Sequence, residues 1–351
     1  MFDRRTRTVR WVMRAAGWLL LRLLVRPTVT GREHLDVPGP VIYAANHAST
    51  FDSLLLFVLL PRDTVFVGPG DFPLLWPANW VVRHAGLILM KRGAVDREGL
   101  KRMLAHLQNG GRLGIFPEGG TWEKPIDEVK SGAAYLSQAA GARIVPMAFG
   151  GTYQVWRRMF LLRFPRVTVT IGLALPPVPA SRDRQQRQAD LEAASVSLMR
   201  QIYTMLPPAT QAHYDRQARL EFRGELLFRP NSLALPTDIS LSALAELVAK
   251  PNLFSPLHRN ARLPVRPFVH PGRFVRPRVM QRAADALAAA FDGGDFAGYL
   301  EYRLGEAKAA EIRAALAVIS AAMDDAETAR ARVAFQPQVL ERAPRQGAAS
   351  P

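Results

Sequence analysis

Short apolar runs recur through the first half of the chain, separated by polar stretches: VIYAAN (41–46), TVFVG (64–68), GLILM (86–90), RLGIF (112–116), RIVPMAF (143–149) and RVTVTIG (166–172). Runs of this length, rich in β-branched residues, read as strands. Between several of them, residues 52–60, 96–109 and 128–140 carry helical spacing. Strands alternating with helices predict an α/β fold with a central, mostly parallel mixed sheet flanked by helices. GLILM and RLGIF lack polar alternation, which predicts strands covered on both faces. A polar helix follows over about 183–206, closed by Pro207–Pro208.

The N-terminus has a different pattern. In RTRTVRWVMRAAGWLLLRLLVRP, Arg14 and Arg22 interrupt the apolar run, which excludes a comfortable membrane span. No small-residue cleavage site follows, so it is not read as a secretory signal. At 100° per residue, Arg7, Arg10, Arg14, Arg22 and Arg26 fall within an arc of about 160°. Val12, Met13, Ala16, Leu19, Leu20, Leu23 and Leu24 lie opposite, with Trp11 and Trp18 among the arginines. The expectation is an interfacial helix, basic side toward headgroups and apolar side in the acyl boundary. The alternative is a helix packed on its own domain with a solvated basic face.

Beyond residue 206 the character changes. Residues 224–278 are rich in Pro, Arg and Phe, and residues 280–333 are Ala-rich and helical with a break at DGGD (292–295). Charge then narrows the partners. Forty-six basic residues against 30 acidic give a formal net charge of +16, which implies an anionic partner. With no cysteine, a disulfide framework and thiolate chemistry are excluded.

Candidate chemistry sits where the strands end. His47 and Asp52 in NHASTFD lie between a strand and a helix. A turn of that length lets Asp52 accept the His47 Nδ1–H, leaving Nε2 free as a base. The bland reading is a satisfied histidine beside a helix-capping aspartate. GLILMKR places Lys91 and Arg92 just past a strand, FPEGGTW places Glu118, Gly119 and Gly120 past another, and IVPM ends a third with Pro146. Strand ends of an α/β sheet are where ligands usually bind.

In this order the blocks resemble those of the glycerolipid acyltransferase family, the PlsC-like lysophosphatidic acid and glycerol-3-phosphate acyltransferases. NHASTFD matches N-H-x4-D, GLILMKR matches G-x-I-x-x-x-R, FPEG matches F-P-E-G, and VPM matches the V-P block. The resemblance covers roughly residues 30–206. It implies transfer of a fatty acyl group from an acyl-CoA or acyl-carrier-protein thioester to the hydroxyl of a lyso-glycerophospholipid, 1-acylglycerol-3-phosphate foremost, with no bound cofactor or metal. By the resemblance, His47 is the base and Asp52 orients it. Arg92, with Lys91, binds phosphate. Glu118, Gly119 and Gly120 form the acceptor-binding block, and Pro146 shapes an apolar wall. It further implies a protein at the cytoplasmic face of an anionic membrane, in phospholipid biosynthesis, with acyl carrier protein as a possible partner. The expected organisation is an interfacial helix over 1–26, an acyltransferase domain over 27–206, a mainly helical extension of unknown role over 207–335 and a disordered tail over 336–351.

One departure bears on the acceptor. After F-P-E-G the family often continues Thr, Arg, Ser, whereas this chain reads Gly120, Thr121, Trp122. Two phosphate donors are missing, and Lys124 and Lys130 are candidate substitutes. Another lyso-lipid or a lipid-linked alcohol therefore stays open as acceptor. Ser49 lacks the G-x-S-x-G elbow of a serine nucleophile. Two other classes remain as alternatives: a nucleic-acid binder, for which RLPVRPFVHPGRFVRPR (262–278) interleaves arginine with aromatics, and a catalytically silent membrane protein.

Overall fold

The computed structural model describes residues 3–70, 78–90, 96–120, 129–230, 239–250, 254, 258, 262–293 and 297–342. The chain divides into two compact units, the first built mainly from residues up to Ala218 and the second mainly from Arg219 onward.

The first unit opens with α1 (Arg4–Leu24), β1 (Arg26–Thr30), β2 (Val41–Ala45), α2 (Thr50–Leu59), β3 (Val65–Pro69), α3 (Ala78–His84) and β4 (Ile88–Met90). It continues with α4 (Arg97–Gln108), β5 (Arg112–Ile115), α5 (Gly132–Ala140), β6 (Arg143–Gly150), α6 (Val155–Phe160), β7 (Arg166–Ile171), α7 (Arg184–Thr204) and α8 (Pro208–Ala218). The seven strands form one sheet in the order β1-β7-β6-β2-β5-β3-β4. Strand β2 runs parallel to both neighbours, β5 and β6, and β5 runs parallel to β3. Only the β6–β7 pair is antiparallel among the pairings described.

The pleat explains why β2 reads as an unbroken apolar run. Tyr43 and Ala45 face one layer with Phe51 and Leu55 of α2. Ile42 and Ala44 face the other, with Leu107 of α4, Leu136 of α5 and Ile202 of α7. All five residues of β2 are buried, as a central strand covered on both faces requires. Strand β5 is covered as expected, but β4 is not: it lies at the sheet edge and its residues are only partly buried or exposed. Strand β1 was not anticipated, because Pro27 reads as a helix stop. It is an edge strand, the place where proline is tolerated in a sheet.

The expected boundary at 206 moves. Pro207–Pro208 ends one helix and begins another, with α8 starting at Pro208, a position that suits proline because its missing N–H has no intrahelical partner there. Tyr214 of α8 is buried in the first unit's core.

The second unit pairs β8 (Leu220–Arg229) with β9 (Arg332–Glu341), antiparallel along their full lengths. Between them come α9 (Ser242–Ala249), α10 (Arg266–Val269), α11 (Pro277–Asp292), α12 (Ala297–Leu304) and α13 (Glu306–Thr328). Residues 336–341, expected in a disordered tail, instead form half of β9 and hydrogen-bond to β8. The aromatics of 262–278 are not a free stacking surface: Phe268 is buried edge-to-face against Phe335, and Phe274 lies under the Arg229 guanidinium.

Candidate active site

The site is built where β2 and β5 end on the same edge of the sheet. Asn46 follows β2 and extends its pairing with side-chain atoms. Its Oδ1 accepts from Phe149 N at 2.7 Å, and its Nδ2 donates to Phe149 O at 3.1 Å. The amide thus mimics a further strand residue, while the main chain is released to turn. Nδ2 also donates to the Tyr214 hydroxyl at 3.0 Å.

His47 leads that turn. Its backbone N–H donates to Glu118 Oε1 at 2.9 Å, and its Nδ1 lies 3.3 Å from Asp52 Oδ2. The imidazole stacks on Phe116, centroids 3.9 Å apart and planes within 11°. Asp52 is completely buried, and its Oδ2 also accepts from Ser49 N at 2.7 Å. Ser49 is the N-cap of α2, and its side chain accepts from the first turn. Ser49 and Asp52 are therefore a reciprocal capping box, so the capping and orienting readings of Asp52 are both realised by one oxygen. The Ser49 hydroxyl is engaged as a cap, which leaves it poorly placed as a nucleophile.

Glu118 does more than the motif suggests. Its Oε1 receives the His47 N–H and, at 3.4 Å, the Tyr214 hydroxyl. Burial, then the Glu118 charge, pushes the Tyr214 phenol well above its ordinary value, so Tyr214 stays a donor at any working pH. Gly119 has φ 72° and closes the turn with its N–H on Phe116 O. That left-handed conformation favours glycine. Gly120 follows it on the same turn. Pro146 is buried within β6, opposite Ala44 of β2. It packs beside Gly172 and Met205, at the end of α7. Lys91 and Arg92 lie outside the described residues, as does Lys124.

The structure thus brings His47, Asp52 and Glu118 together. Sequence reasoning missed three contributors: Asn46, although it opens the quoted motif; Phe116, although it opens F-P-E-G; and Tyr214, for which the local sequence offers no signal.

A buried carboxylate holding a histidine at the strand-end edge of an α/β sheet is a general-base arrangement. Residues 26–150 match the family model described as Acyltransferase. The chain is 32% identical over 158 residues to a 1-acyl-sn-glycerol-3-phosphate acyltransferase of Chlamydomonas reinhardtii, covering 43% of this chain and 47% of that protein. It is 34% identical over 111 residues to the lyso-ornithine lipid O-acyltransferase of Pseudomonas aeruginosa, covering 31% and 42%. Against a 1-acyl-sn-glycerol-3-phosphate acyltransferase of Cocos nucifera it is 28% identical over 148 residues, covering 40% and 47%. The chain spans about half the length of the curated relatives it matches. The solved 1-acyl-sn-glycerophosphate acyltransferase PlsC of Thermotoga maritima aligns with a TM-score of 0.41 and 22% identity, over 57% of this chain and 83% of that one.

Proposed function

We propose that the chain is an O-acyltransferase that moves a fatty acyl group from a CoA or carrier-protein thioester to the hydroxyl of a lyso-glycerophospholipid, with 1-acylglycerol-3-phosphate the leading acceptor. The observation that carries this reading is His47 held against buried Asp52 inside the segment that matches the Acyltransferase family model. A thioester is already activated, and what the reaction lacks is a nucleophile. His47 Nε2 removes the acceptor hydroxyl proton as its oxygen attacks the thioester carbonyl. The C–S bond then breaks, and the imidazolium returns its proton to the leaving thiolate. Asp52 fixes the tautomer and stabilises the imidazolium. Arg92, with Lys91, takes the acceptor phosphate, and Glu118 and Gly119 shape the acceptor's end of the site. The work is placed at the cytoplasmic face of a membrane, in phospholipid biosynthesis. Among the described residues no helix is long and apolar enough to cross a membrane. The amphipathic α1 is the surface helix proposed for attachment.

A second reading differs in acceptor. Gly120-Thr121-Trp122 replaces the family's Thr-Arg-Ser, and one relative is a lyso-ornithine lipid O-acyltransferase. Acyl transfer from labelled acyl-CoA and acyl-carrier protein to a panel of phosphate-bearing and phosphate-free lyso-lipids decides between them. Turnover that His47→Ala abolishes supports the enzyme, and the preferred acceptor names the class. No transfer to any acceptor from either donor overturns both readings.

A further inference from the structure

The other end of the sheet's strands carries a concave feature, which the proposed acyl transfer does not use. Val65 opens β3 and Gly111 precedes β5, so this end is made of strand starts. Here a cleft of about 810 Å³ is lined by Arg7, Arg10 and Arg14 of α1, together with Arg62 and His106. The one carboxylate among its described lining residues, Asp63, is engaged by Arg112 at 2.7 Å. Cationic side chains therefore outnumber carboxylates here, with backbone carbonyls as further partners of Arg10 and Arg14. Burial and then Arg14 pull the Arg10 guanidinium down to about 10, and burial and then Arg62 lower Arg14. Arg14 Nη1 is buried with no hydrogen-bond acceptor among the described residues. An anion entering the cleft would relieve this repulsion.

A smaller groove of about 210 Å³ adjoins the cleft, lined by Ala15, Trp18 and Val58 and sharing Trp11, Arg14 and Arg62 with it. A free phosphate would use the basic cleft alone. A phospholipid would use both, with its phosphate among guanidinium groups and its chain along indole and aliphatic surface. We propose that cleft and groove form a second, non-catalytic lipid site, which takes the phosphate of an anionic phospholipid at Arg7, Arg14 and Arg62 and the start of an acyl chain at Trp11, Trp18 and Val58. The site lies at the other end of β5 from Glu118, so it goes beyond the acyl-transfer reading and does not depend on it.

The test uses the full chain and vesicles of phosphatidylglycerol or phosphatidylcholine, with binding read by co-sedimentation. Arg7 and Arg62 are exposed, so R7Q/R62Q should melt like the native chain. Two basic contacts removed should weaken phosphatidylglycerol binding about tenfold or more, with phosphatidylcholine binding and acyl transfer to detergent-dispersed acceptor unchanged. The control R4Q/R5Q removes two exposed charges outside the cleft and should lose much less. Equal loss in both variants means diffuse surface attraction and overturns the site. Native-like phosphatidylglycerol binding by R7Q/R62Q overturns it too. A short-chain phosphatidylglycerol below its micellar concentration should raise the melting temperature of the native chain and not of R7Q/R62Q. If inorganic phosphate or glycerol phosphate gives the same rise at the same concentration, the ligand is a soluble anion and the lipid assignment fails.

Discussion

At the scale of single residues, Asp52 Oδ2 decides the geometry of the candidate site. It accepts the Ser49 N–H and faces His47 Nδ1, so the helix cap fixes the carboxylate and the carboxylate fixes the imidazole. Asp52→Asn separates these roles. An amide oxygen still caps α2, but the negative charge that supports an imidazolium is gone. We expect transfer to fall about 10²-fold or more, with the melting temperature and the circular dichroism spectrum nearly unchanged. Native-like turnover in Asp52→Asn removes the orienting role. Tyr214→Phe probes positioning from a distance. It deletes a hydroxyl that joins Asn46 to Glu118, at a cost of about 1 kcal/mol in stability. The expected kinetic mark is a lower kcat with the donor KM retained, because the hydroxyl acts through Asn46 and Glu118, which hold the loop. A change in donor KM alone would contradict it. The His47–Asp52 pair was legible in the sequence because both residues sit on one turn. Tyr214 was not, because 168 positions separate it from Asn46 and a lone tyrosine in a polar helix carries no local mark.

At the scale of elements, α1 presents the largest difference between expectation and structure. Two of its arginines, Arg10 and Arg14, turn inward, while Arg7 and Arg22 stay exposed. Arg10 is buried and donates to the carbonyls of Ala85, just past α3, and of Thr64, just before β3. Arg14 donates to Val58 and Leu60 at the end of α2. Helix ends leave carbonyls without intrahelical partners and carry partial negative charge, so a guanidinium fork satisfies both needs. Gly17 and Leu21 complete the buried face, with Gly17 letting α1 approach Leu54 and Val58 of α2 closely. The helical wheel found the arc of arginines correctly. It could not say which arc faced inward, because the backbone acceptors that receive Arg10 and Arg14 have no signature in the side-chain pattern. Arg10→Ala should therefore act on stability. It strips donors from buried carbonyls and cation–π contact from Phe57 and Phe66, and a loss of roughly 3 kcal/mol is expected in denaturant melts. A melt unchanged from the native chain would return Arg10 to the outward basic face first expected.

At the scale of the whole molecule, the inward turn of Arg10 and Arg14 settles which residues α1 offers outward. Trp11, Val12, Leu19 and Leu23 are 58%, 52%, 59% and 60% exposed. An apolar stripe of this kind on an amphipathic helix is the usual means of lying in a membrane interface. On the proposed attachment, electrostatic attraction rests on the arginines and insertion on Leu19 and Leu23, so the two can be separated. Removing all of α1, the obvious test of attachment, would also uncover Leu54, Val58 and the helix-end carbonyls, and would confuse unfolding with release. Leu19→Ser combined with Leu23→Ser leaves the buried face intact. Each leucine that no longer reaches the acyl boundary forfeits about 1–2 kcal/mol, so the pair should weaken partition to vesicles at least tenfold. That loss should appear on zwitterionic and anionic vesicles alike and persist at high salt, where attraction between exposed charges is screened. Activity toward detergent-dispersed acceptor should remain, because neither side chain approaches His47. Vesicle binding that survives the double substitution, or that high salt alone abolishes in the native chain, would move the attachment away from this stripe.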